Sequence, residues 1–438
     1  MKILFISTYS EVLKTFVPLI NYFKNKNNQI TVIARYIPKT SDYEKNKKLF
    51  EKNELFGDLI INENLKEIKS PKFLFNFFHN LRIKKIVHFY YNKYKPDIII
   101  LGPDKNNFER LIIKKSKKNN IPSICFQWSL GPITKKSFYE TKKRLIFDEL
   151  KQLAPSNSRK IFKLIIKIPS FIINTLFGLR TPIIAPCYGG GDATALAVIG
   201  KTSKDFFSNM GIDKKKIYIT GHPLIEKTFY NKEKISKTLP EIISFNESSN
   251  YLLYCTSKYL LTKKDYLHGR SIFKLREEKI RAILSTSYKG NIILKLHPSE
   301  NINNYISLEK ISKRVRVLDE IDIIELIKFC DIFLTRYSTS AYYAMLYEKP
   351  IITHNCPKIP FGSYFSELKG TIYVDNHNDL INNIELIVKK DTKLLNFMKR
   401  ERNQFIEQHL NINLNNNKQF LLPSINNFEN LIKKLYIK

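Results

Sequence analysis

Residues 291–305 read NIILKLHPSENINNY, and residues 315–353 read VRVLDEIDIIELIKFCDIFLTRYSTSAYYAMLYEKPIIT. Four short apolar runs, NIILK, VRVL, DIFLT and PIIT, each end in small or polar residues. DIIELIKFC and SAYYAMLYE lie between them with apolar residues at helical spacing. Strands that are apolar along their whole length are buried on both faces, as in parallel sheets. Strands separated by single helices are joined by right-handed crossovers. The stretch therefore predicts half of an open parallel α/β sheet, a fold that binds ligands at the carboxyl ends of its strands.

The same grammar extends outward in both directions. Upstream, YLLYCTS (251–257) reads as a strand and RSIFKLREEKIRAILSTS (270–287) as a helix. At the amino terminus KILFIST (2–8) is a strand, EVLKTFVPLINYFKNK (11–26) a helix and QITVIARYI (29–37) a strand. KPDIIILG (95–102), NNFERLIIKKSKKNN (106–120) and IPSICFQW (121–128) repeat the unit, and LAVIGK and KIYITGH flank a short helix over 203–210. The expected fold class is α/β, with two doubly wound Rossmann-like domains facing a cleft. The expected boundaries are residues 1–222, a hinge over 223–250, a second domain over 251–390 and a helical tail over 391–438.

The chain has 438 residues, 73 Lys and Arg against 40 Asp and Glu, for a formal charge of +33. With 43% hydrophobic residues it is globular rather than a disordered polycation. The first 250 residues hold 44 basic and 21 acidic residues, and 151–191 hold six basic and no acidic ones. AT-rich codons favour Lys, Asn, Ile, Tyr and Phe, so part of the excess can be compositional drift. No helix-turn-helix, zinc-finger or RNP-like motif supports nucleic-acid binding. No run of 18 apolar residues suggests a membrane span, and the amino terminus does not read as a signal peptide. IFKLIIKIPSFIINTLFGLR (161–180), inside a basic apolar segment over 151–187, reads either as a buried helix pair or as an amphipathic element lying on an anionic membrane surface. The five Cys (125, 187, 255, 330, 356) show no ligand spacing, so reduced thiols and no structural zinc are expected.

Candidate ligand groups gather at strand ends. Lys295, His297 and Pro298 close one strand, and Arg336, Ser338, Thr339 and Ser340 follow another about 40 residues later. Hydroxyls and free N–H groups at a helix start, with cations nearby, suit a diphosphate. Thr256, Ser257 and Lys258 end the first strand of the second series. Gly221 and His222 lie at the junction of the two series, facing the cleft or acting only as a hinge. Acceptor activation needs a base, and Glu11, Asp104 and Asp192 stand at or near strand ends in the first half. Asp192 follows the Gly189–Gly191 run, which matches neither GxGxxG nor a P-loop. His79, His88, His268, His354, His377 and His409 show no mutual spacing. Trp128 is a core residue or an acceptor platform.

These motifs resemble the nucleotide-binding half of GT-B-fold enzymes of bacterial surface-polysaccharide synthesis. That group includes capsule and lipooligosaccharide glycosyltransferases, CDP-glycerol glycerophosphotransferases, bacterial sialyltransferases and non-hydrolysing UDP-N-acetylglucosamine 2-epimerases. The resemblance runs over most of residues 95–355 and includes LAVIGKTSKDFFSNMGIDKKKIYITGHPLIEK. It implies a transferase using a nucleotide-sugar donor, bound by Thr256 to Lys258, Lys295 to Pro298 and Arg336 to Ser340. It also implies a glycan or lipid-linked glycan acceptor, no metal or other cofactor, no nucleic-acid partner, and a cytoplasmic location, peripheral on the inner membrane face. Two departures matter. ISTYSEV and RYSTSAY lack the carboxylate-bearing turns of the epimerases, and Trp128-Ser129-Leu130-Gly131 lacks the histidine of the glycerophosphotransferase Trp-His-Gly.

Overall fold

The computed structural model describes residues 1–36, 42–61, 72–104, 107–128, 192–209, 211–231, 250–256, 271–297, 300–319, 321–336, 338–355, 368–414 and 422–436. Strands β1 (Lys2–Ser7), β2 (Gln29–Tyr36), β3 (Gly57–Ile61), β4 (Ile98–Leu101), β5 (Ser123–Phe126), β6 (Ala195–Val198) and β7 (Ile217–Ile219) form one parallel sheet in the order β3-β2-β1-β4-β5-β6-β7. Strands β8 (Tyr251–Cys255), β9 (Asn291–Lys295), β10 (Val315–Leu318), β11 (Ile332–Thr335), β12 (Ile351–His354) and β13 (Ile372–Val374) form a second, in the order β10-β9-β8-β11-β12-β13. Both orders reverse beside their first strand, at β1/β4 and β8/β11. Those switch points open a crevice at the carboxyl edge.

Helices cover both faces of each sheet, which is why the central strands read as unbroken apolar runs. On the first sheet, α1 (Ser10–Asn25) and α2 (Asp42–Lys52) lie on one face, and α3 (Lys72–Tyr94), α4 (Asn107–Lys118) and α5 (Lys201–Asn209) on the other. α6 (Pro223–Tyr230) begins with Pro at its first turn, where no amide hydrogen is needed. Ile225 and Phe229 of α6 enter the core of the second sheet while the helix also packs on α1. The start of the expected hinge is thus a packed helix; residues 232–249 lie outside the described residues.

On the second sheet α7 (Ile272–Leu284) and α10 (His377–Val388) cover one face. α8 (Ile323–Phe329), α9 (Ser340–Leu346) and α11 (Thr392–Leu410) cover the other. The last helix, α12 (Pro423–Tyr436), returns to the first sheet, where Phe428 meets Phe126 at 5.4 Å between ring centroids. The two carboxyl edges face each other: Lys14 of α1 reaches Asp322, the N-cap of α8, at 2.8 Å.

Candidate functional site

At the carboxyl edge of the second sheet, the ends of β8, β9, β11 and β12 converge. The Thr256 hydroxyl donates to Glu300 Oε2 at 2.5 Å and accepts from the His297 amide at 2.8 Å. The same amide donates to Glu300 Oε2 at 3.1 Å. Glu300 Oε1 takes a hydrogen bond from Arg276 of α7, whose guanidinium stacks 4.1 Å over the Tyr305 ring. Glu300 therefore ties the β8 and β9 ends to α7 and fixes the backbone of His297. Sequence reading passed over it, because Asx-rich SENINNY looks like an ordinary turn.

Lys295 is buried, and its ammonium donates to the Asp319 carbonyl at 2.7 Å, so it ties β9 to the end of β10. Burial holds its pKa below the ordinary lysine value. Arg336 ends β11, is 2% exposed, and donates to Asn355 Oδ1 at 3.0 Å. Ser338 accepts from the Ser340 amide at 3.2 Å and hydroxyl at 2.6 Å, so it ties down the entry to α9, with Thr339 between them. Ser257, Lys258 and Pro298 lie outside the described residues.

His354, at the end of β12, is 1% exposed, and among the described residues neither ring nitrogen has a hydrogen-bond partner. Its ring meets Tyr254 edge-on at 5.5 Å. Burial, then the positive charges of Lys279, Arg336 and His377, hold it neutral. Buried Arg276, Lys279, Lys295 and Arg336 thus surround this edge with Glu300 among them. A cationic environment of this kind is matched to an anion such as a diphosphate.

Across the cleft, Glu11 is exposed in the first turn of α1. Its charge acts on Lys14 and on Tyr343 of α9, which places it between the two sheets. Asp104 follows β4 on the same edge, and its carbonyl accepts from Arg110 at 2.8 Å. Asp192 requires a correction. It precedes β6 on the amino edge, opposite Glu11 and Asp104, and pairs with Lys117 at 3.7 Å. The strand-end position expected for it belongs to the wrong end of the strand, so it is not a base for this cleft. The Gly189–Gly191 run and segment 151–187 lie outside the described residues.

His222 faces inward. Its Nδ1 accepts from the Ile225 amide at 3.2 Å and caps α6, and its Nε2 lies 3.1 Å from the Trp128 carbonyl. Burial brings its pKa down to about 4 and the ring is neutral. Both nitrogens are committed to these contacts, which fix the start of α6 against the end of the first sheet. Gly221 beside it has φ +82, a left-handed conformation that favours glycine. Trp128 packs at the margin of the first core. One further buried group was not foreseen: Arg35 of β2 meets Glu109 of α4 at 2.7 Å, with Thr8 donating to the same oxygen at 3.1 Å. Cys125, Cys255 and Cys330 are buried free thiols; Cys187 and Cys356 lie outside the described residues.

Residues 196–420 match the family model of CDP-glycerol:poly(glycerophosphate) glycerophosphotransferase. No curated protein matches the chain. Among solved structures, the UDP-GlcNAc 2-epimerase of Methanocaldococcus jannaschii in complex with UDP-GlcNAc and UDP aligns over 99% of this chain and 100% of its own, with TM-score 0.60 and 16% identity. The UDP-GlcNAc 2-epimerase of Neisseria meningitidis bound to UDP-GlcNAc aligns over 100% of both chains, with TM-score 0.58 and 13% identity. A spinosyn rhamnosyltransferase complexed with thymidine diphosphate aligns over 99% and 100%, with TM-score 0.52 and 9% identity. At these identities the likeness is one of fold, and it is the two-domain GT-B fold.

Proposed function

The chain belongs to the CDP-glycerol:poly(glycerophosphate) glycerophosphotransferase family, and on that premise we propose that this transferase moves a sugar from a nucleotide-sugar donor to a bacterial surface glycan. The observation that carries the reading is the buried cation set, Arg276, Lys279, Lys295 and Arg336, at the carboxyl edge of the second sheet. The donor diphosphate lies there, against His297 and the Ser338–Ser340 turn. The acceptor lies on the first sheet, with Glu11 as its base. Glu11 takes the proton of the attacking hydroxyl, the new bond forms at the anomeric carbon, and the bond from that carbon to the phosphate oxygen breaks. Side-chain cations stabilise the charge gathering on the departing nucleoside diphosphate, without a metal.

Family membership favours a second reading, glycerophosphoryl transfer from CDP-glycerol. The products separate the two. Glycosyl transfer releases a nucleoside diphosphate, whereas glycerophosphoryl transfer cleaves the diphosphate and releases CMP. Sugar transfer is preferred because Ser129 stands where the Trp-His-Gly pattern has its histidine. Thermal-shift measurements with UDP, CDP, GDP and CMP test the site: one nucleoside diphosphate is expected to stabilise the protein, and His297→Ala and Ser338→Ala to abolish the shift. Glu11→Gln is expected to keep the shift and to lower kcat about 10²-fold or more. No shift with any nucleotide, or a shift untouched in both donor-site variants, overturns the assignment; CMP as the product replaces it with the second reading.

A further inference from the structure

The carboxylate of Glu300 occupies a seat built of hydrogen-bond donors. Its Oε2 accepts from the Thr256 hydroxyl at 2.5 Å and from the His297 amide at 3.1 Å. Its Oε1 accepts from the guanidinium of Arg276, whose side chain is fully buried. A backbone N–H, a hydroxyl and a guanidinium are also what a phosphoryl group takes as donors, and they serve carboxylate and phosphate oxygens alike.

The strand ends do not need this carboxylate to stay in place. The Thr256 amide donates to the Lys295 carbonyl at 2.9 Å, which carries the β8–β9 ladder past the end of β8. The Leu296 amide donates to the Leu318 carbonyl at 2.8 Å and does the same for β9 and β10. Arg276 is held by the Tyr305 ring, whose centroid lies 4.1 Å from the guanidinium. The Glu300 amide donates to the His297 carbonyl at 2.9 Å, so rotation about the side-chain bonds empties the seat without unmaking the turn. The Glu300 side chain is 10% exposed where that of Arg276 is 0%, so the seat opens to solvent on the side of the carboxylate. What Glu300 supplies is a negative charge among the buried cations Arg276, Lys279, Lys295 and Arg336.

A carboxylate and a phosphate cannot share this seat, because two anions in contact repel strongly where water is excluded. Resting on the donor-site reading above, we propose that Glu300 is an internal competitor of the donor. It fills the seat in the free enzyme, keeps single phosphates out, and gives way to a nucleoside diphosphate, whose second phosphoryl group gains further cations of the set. An internal competitor lowers the apparent affinity of every anion by the fraction of time the seat stands open. Glu300 therefore sets a threshold that a weakly held anion does not pass, and it determines specificity rather than clamping the fold.

Isothermal titration of the full-length protein with inorganic phosphate, pyrophosphate, UDP, CDP and GDP tests this. Wild type is expected to bind pyrophosphate and one nucleoside diphosphate, and inorganic phosphate far more weakly. Glu300→Gln removes the charge and keeps the size of the side chain. It is expected to tighten pyrophosphate and the nucleoside diphosphate about tenfold or more, and to bring inorganic phosphate into the measurable range. Glu300→Ala strands the buried Arg276 charge, so its melting temperature is expected to fall and to be restored by inorganic phosphate, which leaves wild type unmoved. A clamp predicts the reverse: weaker anion binding in both variants. The proposal is overturned if Glu300→Gln binds pyrophosphate no more tightly than wild type; if Glu300→Ala does not fold, that comparison decides. A wild type that binds no nucleoside diphosphate overturns the donor-site reading. In that event the two inorganic anions still decide for Glu300, upholding the competitor if Glu300→Gln gains affinity for them and overturning it if it does not.

Discussion

At the residue scale, Glu226 shows how one buried group can make the whole molecule sensitive to pH. It sits on α6 between the two sheets, 1% exposed, and its Oε2 accepts from the Ser424 amide at 2.8 Å while Oε1 has no partner among the described residues. Burial pushes its pKa up to about 7, against 4.5 in the unfolded chain. The folded protein therefore holds a proton between those values that the unfolded chain does not. The resulting stabilisation is complete at the acid end of this window and is lost as pH rises through about 7, at no more than about 1.4 kcal/mol per pH unit. Glu226→Gln keeps a neutral acceptor for Ser424 and is expected to flatten the fall in melting temperature between pH 5 and pH 7.5, within the window set by burial. An unchanged slope would sink this account. His297, Arg336 and Ser338 were legible in the sequence because each directly ends a strand or opens a helix. Glu300, His354 and Glu226 were not, since what defines them is the company of residues far along the chain: Ser424 is 198 positions from Glu226.

At the scale of elements, the carboxyl-terminal helices do not form a separate tail. Phe405 of α11 stacks on Tyr342 at 5.7 Å in the second core. Ile425, Phe428, Leu431 and Ile432 of α12 belong to the first. The chain thus crosses twice between its halves, once by α6 and once before α12. Phe428→Ala is expected to destabilise the protein by about 3–5 kcal/mol through the cavity it leaves against Phe126. Urea unfolding measures it, and a loss below about 1 kcal/mol would show that α12 is only loosely attached. The periodicity of α12 was readable, but its destination was not, because an amphipathic helix specifies an apolar face and not the sheet that covers it. β3 and β13 escaped the sequence reading for a related reason: edge strands are short and only partly buried, so their apolar pattern is weak.

For the whole molecule, the facing of the two edges rests partly on the Lys14–Asp322 pair. Burial works against the Lys14 charge, but Asp322 outweighs it and keeps the ammonium above its usual pKa. Both side chains remain more than a third exposed, so the pair contributes no more than about 1 kcal/mol. Lys14→Ala leaves Asp322 capping α8 through the Ile324 amide. It is expected to widen the average separation of the domains slightly by small-angle scattering, and wild type in high salt should approach the variant. Equal scattering under all conditions would assign domain closure to the packing of α6 instead. The sequence by itself determined the parallel α/β class, the order of the two strand series and the strand ends at which His297, Arg336 and Ser338 stand, because periodicity and chain order are local properties. Only the tertiary structure decided that Asp192 lies on the wrong edge, that both His222 nitrogens are taken by the Ile225 amide and the Trp128 carbonyl, and which distant partners hold Glu300, Glu226 and α12. Those outcomes depend on contacts between residues that no local spacing brings together.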